Sequence, residues 1–264
     1  MVMKKVTIIA HRGGFLPEGP IPKVQNKYTI PENTLEAFKR ALENKWAVET
    51  DVREWEDSDF ALIHDSNTVR ISNYPQFKIS TLDELCQLAS RYIKNEQVPF
   101  IAFQIKRGSN PKSGAEIGRV VAKKMEQYNL KDSILFDATL EEAQILYQEF
   151  PWLNLSVSVG EENYSPTIYT PDQALGRKFT SSYTSVWADE WKIPGSIYNE
   201  RLLKNLRRAF SGRIDVVSPE LHYNENHPLS QDLEKLIEFW KEIIRWNIAD
   251  GICTDYPTAL KSIL

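Results

Sequence analysis

Two carboxylates lie two residues apart in a segment patterned like a buried strand. Glu49 and Asp51 belong to "AVETDV", residues 47–52, whose other members are apolar or β-branched. Successive side chains on a strand point to opposite faces, so both carboxylates point to the same face. Two carboxylates held side by side repel each other unless a cation compensates their charge. The pair therefore predicts a site for a hard divalent cation that prefers oxygen ligands, Ca²⁺ or Mg²⁺.

Two of the four histidines flank this pair in sequence. His11 follows the apolar run "VTIIA" and precedes Arg12 and two glycines, which let the backbone turn sharply. His64 is followed by Asp65. A lone histidine at a strand end is usually structural, and an ExD pair alone is often a solvated strand face. Together they could supply the base, the acid and the cation that phosphodiester cleavage requires.

Eight short runs of apolar and β-branched residues predict the strands that would position these groups. They lie at residues 5–10, 47–52, 99–105, 133–138, 154–159, 184–189, 214–219 and 251–255. Amphipathic segments separate them, such as "NTLEAFKRALEN" at 33–44, where Asn33 or Thr34 could cap a helix. This alternation is typical of an α/β protein with a single (β/α)8 TIM barrel, although a doubly wound open sheet could also give it.

Polar residues gather at the C-terminal ends of the predicted strands. In a barrel enzyme those ends form the face that carries the active site. The distribution therefore favours a barrel enzyme whose site is assembled from several strands. The residues concerned are His11, Arg12, Glu49, Asp51, Gln104, Lys106, Asp189, Glu220 and Asp255. His222 and His227 fall in a predicted loop, and we expect them to be solvated.

Composition limits the class of protein. With 264 residues, 42% hydrophobic content and a net charge of -4, the chain is expected to form one domain over residues 1–264. Charges of both signs are interspersed, so nothing indicates nucleic-acid binding. The apolar stretch at the N-terminus is too short for the hydrophobic region of a signal peptide, and no apolar run reaches the length of a membrane span. We therefore expect a cytoplasmic protein without stable membrane insertion.

A Pro-rich segment, "FLPEGPIPKVQNKYTIPEN" at 15–33, predicts a long loop at about 14–32 after the first strand. On the active-site face of a barrel, such a loop could be a lid or a specificity element. An insertion without a role is the alternative.

Four short motifs resemble those of the glycerophosphodiester phosphodiesterase family. They read "HRG" at 11–13, "PENT" at 31–34, "ETD" at 49–51 and "HD" at 64–65, and the ending "ADGICTDYP" is also similar. Four motifs in the right order and spacing are far more specific than any one of them.

The resemblance implies a (β/α)8 barrel and metal-dependent hydrolysis of small-molecule glycerophosphodiesters to glycerol 3-phosphate and an alcohol. It also implies one divalent cation, Ca²⁺ or Mg²⁺, and roles for seven residues. These are His11 and His64 as the general acid/base pair, Arg12 and Lys106 as phosphate-binding residues, and Glu49, Asp51 and Gln104 as metal ligands.

One departure concerns the metal. The family usually has Glu-x-Lys at the end of its third strand, where this chain has Gln104-Ile105-Lys106. Because an amide carries no charge, we predict weaker metal affinity or a ligand recruited elsewhere, with Asp189 and Glu220 as candidates.

Two alternatives remain open at this point. One is a lysophospholipase D-type phosphodiesterase in which the long first loop forms a channel for an acyl chain. The other is a non-catalytic barrel that binds phosphodiesters or a protein. Against the second, a barrel without catalysis has no physical need for costly clustered charges. The sequence leaves open the head group, the cation, the oligomeric state, which histidine is the acid, and whether a cyclic intermediate forms.

Overall fold

The structure is a computed structural model. It describes residues 4–14, 30–55, 60–65, 77–93, 100–107, 114–163, 165–223 and 225–264. Residues 15–29, which make up most of the predicted first loop, lie outside these ranges.

The described strands belong to one sheet. Barrel strands follow the order β1-β10-β9-β8-β6-β5-β4-β2, and β1 also pairs with β2, so the order returns to its start. This circular order, with helices between the strands, is the topology of a (β/α)8 barrel and confirms the predicted fold class. The strands are β1 Thr7–Ala10, β2 Ala47–Glu54, β3 Phe60–Leu62, β4 Ile101–Lys106, β5 Ile134–Phe136, β6 Asn154–Val159, β7 Ile168–Tyr169, β8 Ser185–Ala188, β9 Ile214–Val217 and β10 Gly251–Thr254.

Eight of these strands coincide with the eight predicted runs: six lie inside them, and β2 and β4 extend past their C-terminal ends by two residues and one residue. The other two are short additions: β3 pairs antiparallel with β2, and β7 pairs with β6. Described helices are α1 Leu35–Glu43, α2 Leu82–Ile93, α3 Gly114–Gln127, α4 Leu140–Glu149, α5 Pro171–Ala174, α6 Arg177–Thr180, α7 Glu200–Ala209, α8 Leu233–Trp246 and α9 Pro257–Lys261. Among these helices, none is long and apolar enough to cross a membrane.

The chain divides into two compact units. The first unit comprises the described residues between 10 and 155, and the second comprises residues 4–9 and the described residues from 156 to 264. In the first unit, Phe38, Leu85 and Phe103 are fully buried between strands and helices. In the second unit, Trp240 and Ile252 are fully buried.

Helix α1 illustrates how capping sets an element's start. The Thr34 side chain accepts a hydrogen bond from the Ala37 backbone N–H, so Thr34 rather than Asn33 is the N-cap residue. The Asn33 side chain is therefore available for another contact, a hydrogen bond to Asp51.

Candidate functional site

A tight turn follows β1 and presents two of the predicted residues. His11–Gly13 form a single 3-10 turn, and Arg12, Gly13 and Gly14 have positive φ angles of 52°, 83° and 74°. A Cβ on Gly13 would lie 2.9 Å from the backbone carbon of Ala37 in α1. Both glycines are required by their positive φ angles, and Gly13 is also required by its close approach to α1. Together they fix the position of His11 and Arg12.

Asp51 lies in β2 and is completely buried. Its Oδ2 is 2.9 Å from Nε of Arg12 and accepts a hydrogen bond from Asn33 Nδ2 over 2.9 Å. Its Oδ1 is 3.3 Å from Nζ of Lys106. Burial raises the pKa of Asp51, but the charges of Arg12 and Lys106 outweigh it and hold that pKa well below its usual range. Asp51 is therefore a permanent anion.

Glu49 lies on the same face of β2, and its side chain is also buried. Its Oε2 accepts a hydrogen bond from the backbone N–H of Arg12 over 3.2 Å and lies 3.8 Å from Nε2 of His11. Burial, followed by repulsion from Asp51, raises the pKa of Glu49. Of the two carboxylates, Glu49 is the one that lacks full charge compensation.

Arg12 links the turn after β1 to two carboxylates, those of Glu32 and Asp51. Its Nη1 lies 3.0 Å from Oε2 of Glu32, in addition to the contact with Asp51. Burial lowers the pKa of Arg12, but the negative charges of Asp51, Glu32 and Glu49 raise it by more. The net shift is upward, so Arg12 is a fixed cation.

His64 follows β3 in the first unit. Its Nδ1 lies 2.7 Å from Oδ1 of Asp65, and its backbone carbonyl accepts a hydrogen bond from Nη2 of Arg53 over 2.8 Å. Burial lowers the pKa of His64 to about 4, and although Asp51 opposes this shift, Arg12 adds to it. At neutral pH the imidazole is therefore uncharged and can accept a proton.

Gln104 lies directly beside Asp51 in the parallel β2–β4 ladder. Laterally paired residues share a face of the sheet, so the Gln104 side chain lies on the Asp51 side. Its Nε2 donates a hydrogen bond to Oδ2 of Asp137 over 2.7 Å. Sequence reasoning missed Asp137, although it lies at the C-terminal end of a predicted strand as the other site residues do.

Asn33 is the second residue that sequence reasoning missed as a site residue. Its Nδ2 donates to Asp51, and its Oδ1 accepts from Oγ1 of Thr50 over 2.9 Å. Its φ angle of 56° is in the left-handed region, which turns this side chain toward β2. Its place in "PENT" beside a helix start suggested only a cap, because a cap and an active-site amide have the same local pattern.

Most predicted residues are brought together within the first unit. Direct contacts join His11, Arg12, Glu49, Asp51 and Lys106; strand register adds Gln104; and the charges of Asp51, Arg12 and Lys106 act on His64.

The two proposed substitute ligands have partners within the second unit. Asp189 Oδ1 lies 2.5 Å from His222 Nε2, and Glu220 Oε1 accepts a hydrogen bond from the backbone N–H of Asp255 over 3.0 Å. Their recruitment to a cation stays a hypothesis.

The expectation that His222 and His227 are solvated is wrong. They are 8% and 1% exposed, because Asp189 and Glu190 face their imidazole rings.

The residues around Asp51 fit a hard divalent cation by their donor chemistry. Glu49 and Asp51 offer carboxylate oxygens, and Gln104 offers an amide oxygen. Oδ1 of Asp51 is buried and accepts no hydrogen bond among the described residues. Within the same residues, no group of three or more His, Cys, Asp or Glu side chains forms a metal cluster.

Comparisons with known proteins point to one family. The sequence model of the Glycerophosphoryl diester phosphodiesterase family matches residues 25–195. A glycerophosphodiester phosphodiesterase from Caldanaerobacter subterraneus subsp. tengcongensis is 36% identical over 86 residues, which is 32% of this chain. That alignment spans only 30% of the relative's length.

Solved structures show the same fold. Two glycerophosphodiester or glycerophosphoryl diester phosphodiesterases from Parabacteroides distasonis give TM-scores of 0.64 and 0.61. Their sequence identities are 16% and 19%, over 99% of this chain and 98% and 87% of theirs. At this identity, the likeness shows the barrel and leaves the family assignment to the sequence match. Since that match covers more than half of the chain, the protein belongs to the glycerophosphoryl diester phosphodiesterase family.

Proposed function

We propose that this protein is a phosphodiesterase that hydrolyses glycerophosphodiesters to glycerol 3-phosphate and an alcohol. The observation that carries the proposal is the buried Asp51, flanked by Arg12 and Lys106 and lying on the same strand face as Glu49. Such a concentration of buried charge is costly unless it serves binding or catalysis. Family membership supports the reaction class.

Arg12 and Lys106 are the residues proposed to bind the substrate phosphate. Both are cations already directed at Asp51, one from the turn after β1 and one from the end of β4. A phosphodiester anion next to them would gain charge-assisted hydrogen bonds from two side chains that are already positively charged. A divalent cation, Ca²⁺ or Mg²⁺, held by Glu49, Asp51 and Gln104, would neutralise the phosphoryl charge when bound.

His64 and His11 are proposed as the acid/base pair. His64 is uncharged at neutral pH, so it can accept the proton of the attacking hydroxyl, from water or from the glycerol itself. His11, whose Nε2 lies 3.8 Å from Oε2 of Glu49, is assigned the complementary role of donating a proton to the leaving alkoxide. The proton taken at His64 and the proton given at His11 balance over the reaction.

The proposal extends to the protein's setting. Residues 1–264 would act as one phosphodiesterase domain in the cytoplasm, on deacylated substrates such as glycerophosphocholine or glycerophosphoethanolamine. These substrates differ from lysolipids in the glycerol half, which carries no acyl chain in a glycerophosphodiester and one acyl chain in a lysolipid.

A substrate panel tests the proposal. Release of glycerol 3-phosphate would be measured from glycerophosphocholine and glycerophosphoethanolamine, and release of lysophosphatidate from lysophosphatidylcholine. Each reaction would be run with Ca²⁺, with Mg²⁺ and with a chelator. We expect cation-dependent release of glycerol 3-phosphate. Faster cleavage of the lysolipid would move the assignment to the lysophospholipase D type, and no cleavage by folded protein would reject hydrolysis of these substrates.

A further inference from the structure

Gln104 and Asp137 form a hydrogen-bonded pair at the ends of neighbouring strands. Nε2 of Gln104 in β4 donates to Oδ2 of Asp137 over 2.7 Å. Gln104 is in register with Phe136, the last residue of β5, so Asp137 is the first residue beyond that strand. Both side chains are partly buried. A carboxylate therefore lies beside a neutral amide at the edge of the site.

Asp137 determines which end of the Gln104 amide faces the cation ligands. An ionised carboxylate only accepts hydrogen bonds, and only the nitrogen of an amide donates them. The nitrogen must therefore face Asp137, and Oε1 lies on the other branch of the amide. Because Gln104 is laterally paired with Asp51, Oε1 is left as an oxygen donor on the face that carries Asp51.

Asp51 has an oxygen atom that a cation would satisfy. Its Oδ2 already contacts Asn33 and Arg12, whereas Oδ1 is buried and accepts no hydrogen bond among the described residues. Lys106 Nζ, at 3.3 Å, is the charged group near that atom. This buried oxygen is ion-paired with Lys106 but accepts no hydrogen bond, so it retains the capacity to bind a ligand that the site is built to hold.

The backbone of Asp137 is fixed in an uncommon conformation. Its φ angle of 64° is in the left-handed region, which non-glycine residues rarely adopt. The backbone carbonyl of Asp137 accepts a hydrogen bond from Nη1 of Arg107 over 2.9 Å. Arg107 also pairs with Glu142, which closes a capping box with Thr139 at the start of α4. These contacts hold the carboxylate in place.

We propose that Asp137 is a positioning residue of the cation site. It orients Gln104 so that Oε1 coordinates the divalent cation, and it supplies the negative charge that the amide lacks. Groups that hold the far end of a metal ligand act in this way, and removing one weakens metal affinity by about 10–100-fold. The inference rests on the proposed function, since the cation is the one that hydrolysis would use.

Mn²⁺ binding to the full chain, followed by electron paramagnetic resonance, tests this role without relying on activity. Asp137→Asn should weaken Mn²⁺ binding about 10-fold or more. The double variant Gln104→Glu/Asp137→Asn keeps the hydrogen bond but exchanges the carboxylate and the amide, and it should bind Mn²⁺ at least as tightly as the wild type. Asp132→Asn, at an exposed position just before the same strand, is the matched control and should leave binding unchanged.

Equal Mn²⁺ affinity of the Asp137→Asn and Asp132→Asn variants would overturn the inference, as would a wild type that binds no Mn²⁺. If Asp137→Asn does not fold, the exchanged variant decides, because an affinity well below the wild type's would also reject the role. Failure of the proposed function has a different signature. Asp137-dependent Mn²⁺ binding without hydrolysis of any substrate would support the positioning role and overturn only the assigned reaction.

Discussion

Nε of Arg12 lies 2.9 Å from Oδ2 of Asp51, and both side chains are buried. The two residues are brought together by a left-handed turn after β1 and by the middle of β2. This ion pair therefore links the local conformation of the turn to the electrostatics of the site.

Replacing Arg12 by Met should destabilise the protein strongly. The substitution keeps much of the side-chain volume but removes the closest cation from the buried carboxylate of Asp51 and breaks the contact with Glu32. Breaking a buried pair in this way costs about 3–5 kcal/mol. The free energy of unfolding in urea measures the effect. Arg119→Met is the control, because the Arg119–Glu149 pair is exposed and its loss should change stability little.

Gly13→Ala should cost more stability than Gly195→Ala. Both glycines have φ near 80°, at 83° and 80°, so both substitutions strain the backbone. Only at Gly13 would the new Cβ meet another backbone, at 2.9 Å from Ala37, whereas nothing lies within 4 Å at Gly195. We expect about 1 kcal/mol at Gly195 and at least about 2 kcal/mol at Gly13. Equal losses, measured by denaturant unfolding, would show that the turn is not packed against α1 as described.

Stability should depend on the ionisation of His222 in the second unit. Burial lowers the pKa of His222, but Asp189 and Glu225 raise it by more, so the resulting pKa is about 9. Since the folded pKa is above the usual value of 6.5, the contribution is fully present below about pH 6.5 and is lost as the pH rises through about 9. The difference in unfolding free energy between wild type and His222→Gln should therefore shrink by roughly 3 kcal/mol between these limits. Parallel pH curves for the two proteins would refute this.

How much could be read from the sequence differs between the barrel and the site. The alternation of apolar runs and amphipathic segments predicts all eight barrel strands, because each run must be buried whatever surrounds it. The face shared by Glu49 and Asp51 follows from strand geometry alone. The roles of Asn33 and Asp137 do not, because they depend on left-handed backbone angles and on contacts between segments distant in sequence. Burial of His222 was missed for the same reason: its partner Asp189 is 33 residues away in the chain.

The acid and the base can be distinguished by the leaving group. An alkoxide needs a proton to leave, whereas p-nitrophenolate does not. His11→Ala should therefore lose about 10²–10⁴-fold on glycerophosphocholine but far less on an analogue whose leaving alcohol is p-nitrophenol. His64→Ala should lose activity on both substrates, because the attacking hydroxyl still has to be deprotonated. The opposite pattern would exchange the two roles.

The most direct test of the central claim is glycerol 3-phosphate release by Asp51→Asn, with Asp83→Asn as the matched control. Asp51 is completely buried between Arg12 and Lys106, whereas Asp83 pairs with Lys124 at the surface. We predict that Asp51→Asn loses about 10³-fold or more in kcat/KM at saturating Mg²⁺ or Ca²⁺ while circular dichroism shows a folded barrel, and that Asp83→Asn matches the wild type. A folded Asp51→Asn variant as active as Asp83→Asn would contradict the assignment of this site.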